Sequence, residues 1–223
     1  MRITPPTEAN AARRSPLNRQ QVLEAAVALA DRIGADALSM RKLAQELGVE
    51  AMSLYTHVRN KDDLLNGVVE AVVAEIPIAP ARADWRSSLR RTVMAARGVL
   101  LRHPWAPRLI ATRTEPGPAM LRYFDAVIGT LRGGGFTLDL THHALHLLGS
   151  RVLGFTQDLV DDSGEMDPAT AKMLAGQYPH VAEMALAVSH HGGLGGCDDD
   201  VEFAFALDVI LDGLERLRED PAD

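Results

Sequence analysis

The chain has 223 residues, of which 47% are hydrophobic and 24% charged, and its formal net charge is −7. That length allows one large domain, or a small one and a medium one, each with a real core. The acidic balance excludes an indiscriminate nucleic-acid coat, and no apolar run approaches the ~18 residues that a membrane span needs.

Residues 1–16 carry Pro5, Pro6 and Pro16 among polar side chains and read as a disordered arm. Its Arg13 and Arg14 either enter a minor groove or remain in solvent. The arm lacks the apolar stretch of a secretory signal, and the single cysteine, Cys197, cannot form an internal disulfide. Both features point to the cytoplasm.

A first helix spans about Asn18 to Ile33, with Val22, Ala26, Leu29 and Ile33 on one face and Gly34 ending it. Ser39 is a candidate N-cap for a second helix. Leu43 pairs with Leu47 at helical spacing, and Leu54 pairs with Val58. Between these runs Gly48 marks a sharp turn, and the small Ala44 lets two short helices cross closely. The spacing predicts a helix-turn-helix whose second helix covers Glu50 to Val58. Outside the apolar set stand Arg41, Lys42, Ala51, Met52, Ser53, Tyr55, Thr56, His57, Arg59 and Lys61. Most of them are phosphate and base-edge donors; Ala51 and Met52 suit contact with a thymine methyl. Tyr55 could equally cover the helix crossing, His57 could bond the start of the next helix, and Arg41 and Lys42 could be solvated surface charges. Asn60 caps a fourth helix to about Ile76, and Pro77 and Pro80 then break the chain at a domain boundary.

Asp84 caps a long helix to about Arg102, with Trp85, Leu89, Val93, Ala96 and Leu100 on one face. A short helix restarts at His103-Pro104-Trp105. A further helix covers about Ala119 to Arg132 and ends at Gly133-Gly134-Gly135. Thr137 or Asp139 opens another, to about Leu159, striped by Leu145, Leu148, Val152, Phe155 and Leu159. Asp162 to Glu165 reads as a loop, Asp167-Pro168 as a helix start and Ser189 to Gly196 as a flexible segment. In the last helix, which opens at Asp198 to Asp200, Phe203, Leu207, Ile210, Leu214 and Leu217 follow a 4, 3, 4, 3 spacing. That stripe is buried either in its own domain or in a homodimer bundle formed with the Thr137–Leu159 helix. The fold class is all-α: a disordered arm over 1–16, a DNA-binding domain over 17–76 and a helical domain over 77–223.

The stretch LSMRKLAQELGV…SLYTHVRNKDDLL resembles the N-terminal domain of the TetR (tetracycline-repressor-like) regulators. Arg41, Leu43, Ala44, Leu47, Gly48, Val49, Leu54, Tyr55, His57, Val58, Asn60, Lys61, Leu64 and Leu65 carry the likeness, which covers about Leu17 to Ile76. LLRHPWAPRLI, the Gly133-to-Phe136 turn and RVLGFTQDL look like the C-terminal domain of the tetracycline-repressor subgroup. The resemblance implies a homodimeric transcriptional repressor that binds a palindromic double-stranded operator and is released by a small-molecule effector. Tyr55, His57 and Lys61 would meet phosphates. Leu145, Val152, Phe203, Leu207, Ile210 and Leu214 would form the dimer interface. A pocket would be lined by Trp85, Met94, His103, Trp105, Phe124, His142, His146 and Phe155, each of which could instead be core.

Tetracycline repressors hold a drug–magnesium chelate partly through a histidine on the short helix after the first long one. Arg108-Leu109-Ile110-Ala111 offers none, although Asp158 could keep the later acid, so a hydrophobic effector without magnesium is expected. His142 and His146 share a helix face at zinc-chelating spacing, but position 143 is histidine where a zinc protease needs a glutamate base. Cys197 with His190 and His191 is a weaker metal pattern, and Asp161 to Glu165 lacks EF-hand spacing. No metal or cofactor is assigned. No G-x-S-x-G elbow, Walker loop or paired C-x-x-C occurs, so no enzyme is expected. The alternatives are a cytosolic ligand or metal-ion carrier and an architectural DNA-binding protein without effector.

Overall fold

The computed structural model describes residues 17–78, 84–113, 115–154, 168–188 and 199–219. Among them the regular elements are all helical. They are α1 (Arg19–Ile33), a 3-10 turn (Ala35–Ala37), α2 (Met40–Leu47), α3 (Ala51–Leu54), α4 (Lys61–Ala74) and α5 (Trp85–Arg102), followed by α6 (Ala106–Ala111), α7 (Pro118–Gly133), α8 (Leu138–Gly154), α9 (Pro168–Gln177), α10 (Pro179–Val188) and α11 (Asp199–Glu219). None of the described helices is long and apolar enough to cross a membrane. The expectations for residues 1–16, Phe155, Asp158, Leu159, Asp161 to Glu165 and Ser189 to Cys197 lie outside the described residues. Contacts divide the chain into Met1–Val68 and Val69–Asp223, so α4 contributes to both units.

In the first unit, α1 opens with a reciprocal cap. The Asn18 side chain accepts from Gln21 N, and the Gln21 side chain accepts from Asn18 N. Ser39 caps α2 by accepting from Lys42 N at 3.3 Å. Gly48 ends α2 at φ 66°, a left-handed conformation that costs other residues about 1–2 kcal/mol. Val22, Ala26, Leu29, Leu38, Leu43, Ala44, Leu54, Val58 and Leu64 are buried. Ile33, expected on the apolar face of α1, is 38% exposed. The second helix of the motif is also shorter than its periodicity suggested. After Leu54 the N–H groups of Tyr55, Thr56 and His57 bond carbonyls three residues back, at 3.3, 3.3 and 2.9 Å. The chain therefore tightens into 3-10-like winding before Val58.

In the second unit, Asp84 starts α5 by accepting from Arg86 N and Ser87 N, both at 3.2 Å. The predicted α5 stripe of Trp85, Leu89, Val93, Ala96 and Leu100 is buried throughout. Trp85, Leu89 and Val93 meet Val127 and Leu131 of α7, Phe136, Ala144 and Leu148 of α8, and Phe203, Leu207, Leu211 and Leu214 of α11. Trp85 and Phe136 pack edge to face with centroids 4.7 Å apart. Gly134 lies against Trp85, and a Cβ there would come within 2.7 Å of it. Pro179 starts a separate helix, α10, that packs on α9, a break the sequence reading did not resolve.

An antiparallel ladder of charges joins α5 to α11. Arg86 pairs with Asp212 at 2.6 Å, Arg90 with Asp208 at 2.9 Å and Arg97 with Asp200 at 2.9 Å. Arg97 is 5% exposed, and its guanidinium also lies 4.6 Å from the centre of the Phe203 ring.

The residues expected at a dimer interface divide by burial in the single chain. Phe203, Leu207 and Leu214 are buried in the chain's own core, and Leu145, Val152 and Ile210 pack against that core. Of the 4-3 stripe, Phe203, Leu207 and Leu214 are buried under α5, α7 and α8, whereas Ile210 is half-buried and Leu217 is 51% exposed. The opposite face of α11 exposes Val201, Phe205 and Val209.

Candidate nucleic-acid interface and effector cavity

All nine residues assigned to DNA lie at the surface of the first unit. Arg41, Lys42, Met52, Tyr55, Thr56 and Lys61 are exposed, and Ala51, Ser53 and His57 are half-buried. Met52 is 75% exposed, an apolar side chain held in water at the centre of the helix-turn-helix surface. Leu54 and Val58 hold this segment from beneath. Local bonds set its donors. Ser53 Oγ donates to Glu50 O at 2.7 Å, and Thr56 Oγ1 donates to Ser53 O at 2.7 Å. Each hydroxyl thus keeps its oxygen as an acceptor. Lys42 Nζ donates to Ala37 O at 3.1 Å.

A clasp that sequence reasoning missed fixes the ends of this surface. Arg19, the first residue of α1, donates to Asp63 Oδ1 at 3.0 Å, to Asp63 Oδ2 at 3.1 Å and to the His57 carbonyl at 2.6 Å. Asp63 also accepts from Arg59 N at 2.8 Å, while its own N–H donates to Asn60 Oδ1 at 2.8 Å. One carboxylate thus ties together α1, the turn after α3 and the first turn of α4. The Arg19 guanidinium, then the Arg59 N–H, hold the Asp63 carboxyl below its usual range, from 3.8 to about 2. The signal was present in Asn60-x-x-Asp63, but its partner lies 44 residues away.

The second unit carries a cavity of about 820 Å³ that opens to solvent, with Phe124, His142, His146 and Ser150 of its lining exposed. Its walls come from α4 and the residues after it (Val73, Ile76), α5 (Ala96, Leu100), α6 (Ile110, Ala111), α7 (Met120 to Ile128) and α8 (His142 to Gly154). Of the residues expected to line a pocket, Phe124, His142 and His146 do so. Trp85 and Met94 belong instead to the core around α5. His103 is buried, and its Nε2 lies 3.3 Å from Glu75, with Trp105 6.1 Å away ring to ring. Neither His103 nor Trp105 lines the cavity. The sequence reading missed Tyr123, Val127 and Leu100, whose spacing fits core and cavity wall equally well. Burial pushes the Tyr123 hydroxyl up to about 12, so it stays protonated at neutral pH. No cluster of three or more metal-ligating side chains occurs among the described residues.

Two carboxylates, Glu70 of α4 and Glu75 just after it, hold other helices of the second unit. Glu70 accepts from Ala119 N at 2.6 Å, capping α7, and a Cβ on Gly117 would fall 2.3 Å from that carboxylate. Glu75 accepts from Arg102 Nη2 at 2.9 Å, at the end of α5. Burial alone would raise the Glu75 carboxyl, but the bonds from Arg102 and His103 outweigh it and hold it below its ordinary range.

Comparison with known proteins covers both units. Residues 22–68 match the family described as "Bacterial regulatory proteins, tetR family", and residues 76–218 match "Tetracyclin repressor-like, C-terminal domain". An HTH-type transcriptional regulator of Saccharopolyspora erythraea is 40% identical over 121 residues, 54% of this chain and about half (51%) of its own length. The class D tetracycline repressor of Escherichia coli is 41% identical over 209 residues, 89% of each chain. Among solved structures, apo ActR of Streptomyces coelicolor superposes with a TM-score of 0.74 at 27% identity, over 94% of this chain and 100% of that one. ActR in complex with actinorhodin gives 0.70 at 27%, over 91% and 98%.

Proposed function

The chain belongs to the TetR family of bacterial transcriptional regulators, and from that premise we propose how it works as a homodimeric, effector-released repressor. The observation that carries the reading is the exposed set Arg41, Met52, Tyr55 and Lys61 on a buried helix-turn-helix frame, in one chain with an apolar cavity. Residues 17–76 act as the DNA-binding domain and 77–223 as the effector and dimerisation domain, in the cytoplasm. Ala51, Met52 and Ser53 face base edges. Arg41 reads a base or a phosphate, and Lys42, Tyr55, Thr56, His57 and Lys61 position the duplex through phosphates, with the start of α4 helping at Lys61. Two such units bind half-sites one helical turn apart, about 34 Å.

The dimer uses the outer face of α11, Val201, Phe205 and Val209, together with Leu138 and Leu147 of α8, all of them exposed in the single chain. Effector release runs through α4. Val73 lines the cavity, and the same helix begins at Lys61. A ligand that favours one position of α4 over another shifts the spacing of the recognition segments, by no more than its difference in affinity for the two states.

The test is an electrophoretic mobility shift with DNA from upstream of the gene, competitor DNA and fixed salt. A discrete, competitor-resistant complex is expected. Arg41→Ala or Lys61→Ala should weaken it without dissociating the dimer; wild-type affinity in both variants would overturn the site assignment.

A further inference from the structure

The C-terminal end of α4 is fastened to two different helices of the second unit. Glu70 accepts from Ala119 N at 2.6 Å, in the first turn of α7. Just past α4, Glu75 accepts from Arg102 Nη2 at 2.9 Å and lies 3.3 Å from His103 Nε2, at the end of α5. Carbon contacts reinforce the first fastening: Val69, Val73 and Ala119 are buried together, with Met120 and Tyr123 of α7 packed on them. Gly117, just before α7, has no room for a Cβ beside the Glu70 carboxylate. The carboxylate is therefore seated on the helix end with little slack. The two helices so held both line the cavity, α5 through Ala96 and Leu100 and α7 through residues from Met120 to Ile128.

We propose that Glu70 is the positioning residue that turns movement of α7 into movement of α4, with the Glu75 contacts as the fulcrum. The inference rests on the reading of the chain as an effector-released repressor. A carboxylate bonded to a helix N-terminus is favoured by its charge as well as by the hydrogen bond, so the joint resists parting. At 1.5 Å per residue, Glu70 sits about 7 Å along the axis from Glu75, and Lys61 about 21 Å. A tilt about Glu75 that shifts α4 at Glu70 therefore shifts its Lys61 end about threefold further. Whatever fills the cavity and displaces α7 relative to α5 moves the start of α4, where Lys61 is assigned to a phosphate. Such a ligand need not touch α4 at all.

The test is a double-mutant cycle on DNA affinity, measured by mobility shift with a duplex that the full chain selects from random-sequence DNA. Ile128 of α7 lines the cavity about 13 Å along the helix from Ala119, and it is not among the residues packed on Val69 and Val73. Ile128→Trp crowds that wall and Ile128→Ala empties it, and circular dichroism shows that each variant is folded. In the otherwise wild-type chain, at least one of the two should change DNA affinity by about 5-fold or more, the lower end for coupled sites. With Glu70→Ala, or with Gly117→Ala, which evicts the carboxylate from the other side, the same substitution should change it by less than about 2-fold. Glu70→Gln keeps an oxygen acceptor for Ala119 N and should restore most of the coupling. A cap that only stabilised the fold would leave the fold-change the same in every background. Equal fold-changes throughout, or no change from either Ile128 substitution in the wild type, would overturn the proposal. Failure to select any bound duplex would instead overturn the repressor reading, and the proposal with it.

Discussion

Asp63→Asn tests the clasp beneath the recognition segment. The substitution keeps the side chain's size and one carbonyl acceptor, and removes the charge that Arg19 meets at 3.0 and 3.1 Å. The carboxyl is lowered from 3.8 to about 2. At about 1.4 kcal/mol per unit, that is about 2.5 kcal/mol before screening. The Arg19 side chain is 46% exposed, so solvent reduces the contribution to about 1–1.5 kcal/mol. A carboxyl depressed in the folded state stabilises fully above its unfolded value of 3.8 and loses that stabilisation as pH falls toward about 2. Urea unfolding of wild type and variant, followed by far-ultraviolet circular dichroism, measures the gap. It should be about 1–1.5 kcal/mol at neutral pH and roughly half of that at about pH 3. An equal gap at both pH values would show that charge is not what holds the clasp. No gap at neutral pH would show that packing of Leu54, Val58 and Leu64 suffices without it.

Phe205→Glu should convert dimers to monomers in sedimentation while the thermal midpoint of the monomer stays near wild type. Phe203→Ala, two residues away but fully buried, should instead cost about 3–5 kcal/mol in denaturant unfolding. Gly117→Ala should displace Glu70 from the start of α7 and cost about 1 kcal/mol, a gap that Glu70→Ala should match and the double variant should not double. Asp208→Asn should cost less than about 1 kcal/mol at neutral pH, since both partners of that rung are partly exposed. The Asp208 carboxyl is held down chiefly by the Arg90 hydrogen bond, so that difference should fade as pH drops below the ordinary carboxylate range.

What sequence made legible here was local. Ser39, Asn60 and Asp84 are caps whose bonding partners lie two or three residues away, and each was readable in advance; the equally local Asn18 cap was read only as the start of its helix. The α5 stripe was readable for the same reason, because a period needs only its own helix. The unread features join distant positions. Arg19 and Asp63 are 44 residues apart, and Arg90 and Asp208 are 118 apart. Phe203, Leu207 and Leu214 were recognisable as a buried stripe, but spacing alone does not say which surface covers it. Trp85 and Phe124 are both large aromatics on amphipathic helices; one fills the core and the other borders the cavity, a difference set by how α5 and α7 are placed. At the recognition segment, periodicity overshot because Leu54 and Val58 keep their apolar spacing through a turn that winds tighter than an α-helix.

The cap that Glu70 places on α7 also has an evolutionary reading. The carboxylate occupies the space that any side chain at position 117 would need. Position 117 therefore cannot gain a side chain while Glu70 keeps this place. A lineage that gains a larger residue at 117 must first shorten or lose Glu70, and α7 must then find another acceptor for Ala119 N. Sequences of relatives should accordingly pair Glu at the first position with Gly at the second, and the combination of Glu with a bulky residue should be missing. That pairing would trace contact between α4 and α7 across homologues even where the cavity itself has been refitted for a different molecule.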